Sequence, residues 1–336
     1  MKWGDLISLE YGKPVQDKDR TDGKYPVFGT NGQIGTTNLL PLCNHPSMIL
    51  GRKGAYRGVH YSDGPCSVID TAFYTELRSN KVDMKWVYYK FLTYDINQMD
   101  TGSAIPSTDR YEIYSMDVEV PPIEVQRQAV HELEILDQKI RVNKKINDNL
   151  QQQAQAIYTL FFVKNADVSW AKGHLSNLVN IKYGKDHKNL SDGIYPVYGS
   201  GGIIRHAEKF LYDKESVLIP RKGTLNNVMY VNQPFWSVDT MFYTEMKLPN
   251  IAKFVFHFIK SKDLDALNEG SAVPSMTTSL LNAMEVLIPP QPILKRFEAI
   301  VSPMYNIMQK NAEQNKTLSG LRNCLLFPLI TNQIHF

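Results

Sequence analysis

The chain is poor in cysteine, with only Cys43, Cys66 and Cys324 among 336 residues. Three thiols, odd in number and far apart in sequence, argue against a disulfide framework and against a zinc cluster, and suit a reducing cytoplasm. No run approaches 18 apolar residues, so no membrane helix is expected. Met1-Lys2-Trp3-Gly4-Asp5 lacks the apolar stretch of a secretory signal. A large excess of one charge is also missing: 37 Lys and Arg against 34 Asp and Glu leave +3. Any nucleic-acid surface must therefore be local, with acidic residues placed elsewhere. What remains is 43% hydrophobic and 21% charged, ordinary for a globular protein and long enough for two domains with their own cores.

Catalytic signatures are missing too. No Gly-x-x-x-x-Gly-Lys-Ser/Thr loop offers a phosphate cradle. Gly199-Ser200-Gly201-Gly202 is glycine-rich, but neither it nor Gly29-Thr30-Asn31-Gly32 opens a convincing βαβ unit. The double prolines Pro121-Pro122 and Pro289-Pro290 lack the flanking residues of an amino-methyltransferase motif. Eight histidines show no His-Glu-x-x-His spacing, so no metal or cofactor is expected. The nearest approach to a nuclease site is Asp239 with Glu245 and Lys247, which in principle could hold Mg²⁺. Its counterpart Asp70, Glu76 and Arg78 lacks the lysine, and a fold-serving hydrogen bond explains the aspartates better.

What is present is a duplication. Tyr25-Pro26-Val27-Phe28-Gly29 recurs as Tyr195-Pro196-Val197-Tyr198-Gly199, and Arg52-Lys53-Gly54 as Arg221-Lys222-Gly223. Asp70-Thr71-Ala72-Phe73-Tyr74-Thr75-Glu76 recurs as Asp239-Thr240-Met241-Phe242-Tyr243-Thr244-Glu245. Gly102-Ser103-Ala104-Ile105-Pro106-Ser107 recurs as Gly270-Ser271-Ala272-Val273-Pro274-Ser275. These matches keep one order and offsets of 168 to 170, so each copy is a whole domain plus a connector. Within a copy, Ser67 to Glu76 and Ser237 to Glu245 read as strands. Ser47 to Leu50 and Val217 to Ile219 are shorter apolar runs that end at the basic turns. Trp86 to Tyr94 and Phe254 to Ile259 suit aromatic helices; Val118 to Val120 and Val286 to Ile288 suit strands stopped by proline.

After each Pro-Pro the pattern changes to a heptad seam. Leu133, Leu136, Ile140, Asn143, Asn147 and Leu150, continued by Ala154, Ile157 and Phe161, alternate three and four apart. In the second copy Val301, Met304, Met308, Asn311, Asn315, Leu318, Arg322 and Leu325 keep that register, weakened by Pro303 and by Arg322 on the seam. Paired asparagines at equivalent seam positions suit register selection at a cost in stability; two separately packed amphipathic helices are the alternative. If each domain's termini lie close together, the helices run antiparallel with a domain at each end and pseudo-two-fold symmetry. The expected class is α+β: domains over 1–120 and 165–288, separated by spacer helices over 121–164 and 289–330. At about 1.5 Å per residue each helix spans roughly 60 Å.

Two similar domains on a stiff spacer suit a duplex read at two places. The segments 38–45, 56–66, 209–215 and 224–234 vary while their framework agrees, as expected of copies that see different bases. The whole order resembles the specificity subunit of Type I restriction–modification systems. The resemblance rests on Tyr25-Pro-Val-Phe-Gly, Gly51-Arg-Lys-Gly, Asp70-Thr-Ala-Phe-Tyr, Gly102-Ser-Ala-Ile-Pro-Ser and Pro121-Pro-Ile with the Gln-Arg and heptads that follow, and on their second copies. Arg205 in place of Gly35 and Pro220 in place of Gly51 depart from the repeat. The resemblance implies two target-recognition domains, each binding half of an interrupted DNA site, and helices that act as a ruler. It also implies partnership with two methyltransferase subunits and, for cleavage, a motor-nuclease restriction subunit, with no catalysis in this chain.

The best DNA-contact candidates are Arg52, Lys53, Arg221 and Lys222, two cations on each strand-ending turn, within reach of phosphates or guanine edges. A solvated surface turn is the other reading. Arg57, His60, Arg205 and His206 occupy neighbouring loops, and Ser103, Ser107, Ser271 and Ser275 offer hydroxyls to phosphates or to the fold. Two functions of other classes stay open: a stand-alone enzyme, which requires turnover without partners, and a scaffold whose binding ignores DNA sequence.

Overall fold

The computed structural model of the chain describes residues 1–20, 22–99, 106–267 and 275–333. Its first series of elements is α1 (Trp3–Leu6), β1 (Ile7–Tyr11), β2 (Tyr25–Gly29), β3 (Gly32–Thr37), β4 (Ser47–Gly51) and β5 (Val59–Ser62). β6 (Ser67–Val68), β7 (Ala72–Leu77), α2 (Met84–Phe91), α3 (Arg110–Ser115) and the long α4 (Ile123–Thr159) follow. Strands β1, β7, β4 and β5 form an antiparallel sheet in that order, and β3, β2 and β6 form a second sheet in which β2 and β6 are parallel. β4 is central because Met48, Ile49 and Leu50 are apolar on both faces and wholly buried. The Asp83 carboxylate caps α2 by accepting the Lys85 and Trp86 N–H groups.

The second series repeats the first. It comprises β8 (Ala171–His174), α5 (Leu175–Leu178), β9 (Val179–Tyr183), β10 (Asp192–Gly199), β11 (Gly202–Ala207), β12 (Ser216–Pro220) and β13 (Met229–Val231). Then come β14 (Trp236–Ser237), β15 (Met241–Met246), α6 (Ala252–Lys260), α7 (Thr278–Asn282), β16 (Glu285–Ile288) and α8 (Gln291–Ile330). The sheet order β9, β15, β12, β13 copies β1, β7, β4, β5, and β11, β10, β14 copies β3, β2, β6. Even an irregularity is repeated: the register shift between Val27 and Phe28 recurs between Val197 and Tyr198.

Two local expectations need correction. The run Ser67 to Glu76 is two strands, because the chain turns at Asp70-Thr71 to meet the basic turn. The Thr71 carbonyl accepts both the Arg52 and Lys53 N–H groups (2.8 and 3.1 Å), as the Thr240 carbonyl does from Arg221 and Lys222 (2.9 and 3.3 Å). The strand expected at Val118 to Val120 does not form; pairing there is the single bridge Lys2–Asp117, whereas β16 pairs with β8 over four residues. Cys43 and Cys66, far apart in sequence, face each other across an antiparallel bridge as free thiols.

The chain divides into two compact units, Met1–Lys144 with Ala312–Phe336, and Lys145–Asn311. Each long helix thus gives one part to each unit. In the first unit Trp3, Trp86 and Phe91 pack with Leu133 of α4 and with Leu329 and Ile330 of α8. Asp137 meets Arg322 there, and the Asn143 amide donates to Asn315 Oδ1 (2.9 Å) and Gln314 Oε1 (2.7 Å). In the second unit Phe162 packs with Phe254 and Phe297, and the Asn311 amide donates to Asn147 Oδ1 (2.8 Å). The pairings run in opposite senses along the two helices, so within each unit the helix segments are antiparallel. Leu133, Ile140 and Asn143 are buried, and Leu136, Asn147, Leu150, Met304, Met308, Asn311, Asn315 and Leu318 half-buried. Pro303 lies inside α8 without ending it, and Arg322 is satisfied on the seam by the Asp137 carboxylate at 3.0 Å. Among the described residues no helix is long and apolar enough to cross a membrane.

Candidate nucleic-acid interface

Each basic turn is built on glycine: Gly54 and Gly223 have φ of +122° and +87°, the left-handed region that glycine enters without strain. The turn is clasped from both sides. The Thr71 or Thr240 carbonyl accepts from its amides, as described above, and the last residue of each Gly-Ser-Ala-x-Pro-Ser motif bridges it at Lys53–Ser107 and Lys222–Ser275. The Thr108 N–H donates to the Arg52 carbonyl and the Met276 N–H to that of Arg221, each at 2.9 Å. Backbone position is therefore set before any ligand arrives.

The arginine side chains are set as well. The Arg52 guanidinium lies over the Tyr11 ring (4.6 Å) and near Phe73 (5.8 Å), and its Nη1 donates to the Asp70 carbonyl (3.0 Å). Tyr11 and Phe73 are themselves 5.1 Å apart. In the second unit Arg221 lies over Tyr183 (5.4 Å), donates to the Asp239 carbonyl (3.3 Å), and Tyr183 meets Phe242 at 5.0 Å. Tyr11 and Tyr183 are 45% and 52% exposed, so in each unit an arginine rests on an aromatic face open to water. Cation–π contact holds the long side chain in place and leaves guanidinium N–H groups for a phosphate or a base edge. The first unit adds Arg110 from α3, over Tyr11 at 4.7 Å and bonded to the Tyr111 hydroxyl at 3.0 Å; α7 has Thr278 at the equivalent position.

The other candidates separate on structure. Arg57 is a correction: it is 2% exposed, and its Nη2 donates to the carbonyls of Ile96 (3.2 Å) and Asn97 (2.9 Å). A guanidinium spent on buried carbonyls is part of the core and cannot reach DNA. His60 is tucked under the β2–β3 tip with Nε2 3.3 Å from the Thr30 carbonyl, and burial pushes its pKa down, which disfavours the cation. Arg205 stands on β11 rather than in a loop and is tied to the β9–β10 connection, through the carbonyls of His187 and Leu190, and to Asp192 at the start of β10. His206 lies on β11 opposite Pro196, half-buried. Lys53 is half-buried and Lys222 exposed. Ser103 and Ser271 lie outside the described residues.

Tyr11, Arg110 and Tyr183 were not singled out from sequence, although a signal exists. Tyr11-Gly12-Lys13 recurs as Tyr183-Gly184-Lys185 at an offset of 172, just outside the spacing of the other matches. The glycines are required by close approach: a Cβ at Gly12 or Gly184 would lie 2.1 or 2.0 Å from the carbonyl oxygen of Ile69 or Val238.

Comparison with known proteins agrees with this duplication. The family model for the Type I restriction modification DNA specificity domain matches residues 1–152 and again 167–318. The Type I restriction enzyme MjaIX specificity subunit of Methanocaldococcus jannaschii is 20% identical over 298 residues, 74% of this chain and 69% of that protein. A putative type I specificity subunit of Mycoplasma pneumoniae is 19% identical over 359 residues, covering 98% of this chain and 97% of the relative. The crystal structure of a Type I restriction–modification S subunit from M. genitalium shares the fold, with a TM-score of 0.63 at 18% identity over 98% of this chain and 95% of that one.

Proposed function

The chain belongs to the Type I restriction modification DNA specificity family, and from that premise we propose that its two domains, 1–120 and 165–288, each read one half of an interrupted duplex site. The single observation that carries this reading is the arginine on its exposed tyrosine, built twice at the same turn. Arg52, Lys53, Tyr11 and Arg110 meet the first half-site, and Arg221, Lys222 and Tyr183 the second. Ser103 and Ser271 add hydroxyls for phosphates, and His60 on β5 and Arg205 and His206 on β11 act more weakly by shaping the strands around those contacts. The spacer segments 121–164 and 289–330 set the gap between half-sites. They also carry exposed apolar residues off the seam: Ile135, Val142 and Leu321 in the first unit, Ile146, Ile300 and Ile307 in the second. Apolar side chains left in water on a helix favour a protein partner, and we assign them to methyltransferase subunits, with restriction subunits joining the assembly. Methylation and cleavage then belong to those partners, in the cytoplasm where the DNA is, and this chain needs no cofactor.

The test uses the chain assembled with its methyltransferase partner. Arg52→Ala and Arg221→Ala should each weaken duplex binding about tenfold and flatten log K against log salt by about one per lost phosphate contact. Affinity and slope both unchanged would remove the platform from the interface. Inserting one heptad into each long helix should widen the preferred gap by about 10 Å, roughly three base pairs; a gap that stays put would end the ruler reading.

A further inference from the structure

Cys43 lies within the variable segment 38–45 and Cys66 ends the segment 56–66, and the fold sets them opposite each other. The Cys43 N–H donates to the Cys66 carbonyl (2.9 Å) and the Cys66 N–H to the Cys43 carbonyl (2.8 Å). A doubly bonded antiparallel pair holds its Cα atoms about 5.5 Å apart, inside the roughly 4.4–6.8 Å range that a disulfide spans. Directly opposed residues project to the same side of the ladder. Both thiols are free and buried, whereas Cys324 is exposed and alone.

The surroundings favour chemistry at Cys43. Its sulfur lies 3.7 and 3.8 Å from the His45 ring nitrogens. One of these nitrogens faces the Pro46 carbonyl and the other the Glu76 carboxylate, both at 2.8 Å. Two acceptors favour the protonated ring, and a cation beside a sulfur favours thiolate. Burial opposes that cation, but the Pro46 and Glu76 bonds outweigh it and raise the His45 pKa. The hydrogen bond from Cys66 and the His45 charge together lower the pKa of Cys43 despite its burial. The His45 side chain is 38% exposed and lines an open cleft of about 570 Å³ with Pro46, Tyr61 and Glu76, which brings small solutes to within one ring of the sulfur.

The second unit shows that the backbone bridge needs no sulfur. Tyr212 and Phe235 form the same antiparallel bridge, with rings 6.0 Å apart. The first domain alone carries a dithiol at this place.

We propose that Cys43 and Cys66 form a peroxide-responsive pair, a modification site confined to the first recognition domain. The Cys43 sulfur attacks one oxygen of hydrogen peroxide, the O–O bond breaks, and the leaving oxygen departs as water after taking a proton. The resulting sulfenic acid is attacked by the Cys66 sulfur, which forms the S–S bond and expels the hydroxyl as a second water. Two thiols lose two electrons and two protons, and the peroxide is reduced. The closed loop, 43–66, contains the Arg52-Lys53 turn, so oxidation acts on the first reading surface and leaves the second unchanged.

The experiment uses the full chain carrying Cys324→Ser, exposed to hydrogen peroxide, digested without reductant and analysed by mass spectrometry. The expected result is a peptide joining Cys43 to Cys66, lighter by two hydrogens, with both titratable thiols lost and regained with dithiothreitol. In Cys66→Ser, Cys43 should give a sulfenic acid trapped by dimedone and no cross-link. A doubly substituted Cys43→Tyr, Cys66→Phe chain, which copies the second unit's pair, should fold and show neither product. The proposal is overturned if Cys43 proceeds to sulfinic acid while Cys66 stays a thiol. It is equally overturned if both remain thiols under conditions that oxidise Cys324 in the unsubstituted chain.

Discussion

Where the aromatic helix of each domain meets the long helices, equivalent positions carry different chemistry. In the first unit the Tyr89 hydroxyl donates to Asp137, which also takes Arg322, so the junction is ionic. In the second, His257 stands at the position of Tyr89, accepts from the Tyr305 hydroxyl (2.9 Å) and donates to Gln155 (2.8 Å), so the junction is neutral. One turn earlier the units agree again. Lys85 bridges Asp63 and Glu134 beneath Tyr61, and Lys253 bridges Glu215 and Glu298 beneath Tyr230. The difference teaches that the repeat preserves satisfaction of polar groups rather than their identity. A buried hydrogen-bonding site tolerates exchange of ions for neutral partners as long as none is left alone.

The lysines sharpen this comparison most. Lys253 is 5% exposed, while Lys85 has the largely exposed Asp63 as one of its partners. Lys253→Ala takes the counter-ion from the Glu298 carboxylate, whose side chain is 16% exposed, and should cost about 3 kcal/mol, against about half that for Lys85→Ala; urea midpoints of the two variants check it, and equal costs would refute the ranking. The next largest effect is acid sensitivity. Burial, helped by the Lys260 charge, pulls the His257 pKa from its ordinary 6.5 down to about 3. Below pH 6.5 the unfolded chain therefore binds a proton that the folded chain refuses. This group's stability is complete above 6.5 and falls as pH drops towards about 3, at about 1.4 kcal/mol per pH unit. Between pH 6.5 and 5 the stability of His257→Gln should depend less on pH than that of the unsubstituted chain; parallel curves would show that the junction histidine titrates normally. The smallest effect concerns the reading surfaces. Tyr11 supports two arginines and Tyr183 one, so Tyr11→Leu should weaken duplex binding by about 1 kcal/mol and Tyr183→Leu by about half of that. A larger loss at Tyr183 would reverse the asymmetry.

Much of the architecture was legible in the residues because duplication writes it twice. The glycines, prolines and basic turns recur in order, and the three-four spacing after each Pro-Pro marks the seam positions that lie buried or half-buried. The readings that failed share one cause. Arg57 sits in a loop as polar as its neighbours, and only the approach of Ile96 and Asn97 makes it core. Arg322 looked like a flaw on the seam until Asp137 met it. Tyr11 and Tyr183 escaped notice because a short length difference before β2 and β10 shifts their spacing.

Sequence alone determined the class of elements, their order, their repetition and the positions of the glycine-dependent turns, because those depend on backbone sterics and on periodicity along the chain. Tertiary structure decided which charges are spent and which are free, which thiols are neighbours, and which tyrosine carries which arginine. Those outcomes depend on groups remote in sequence coming within a few ångströms, and on the burial that makes each such meeting obligatory.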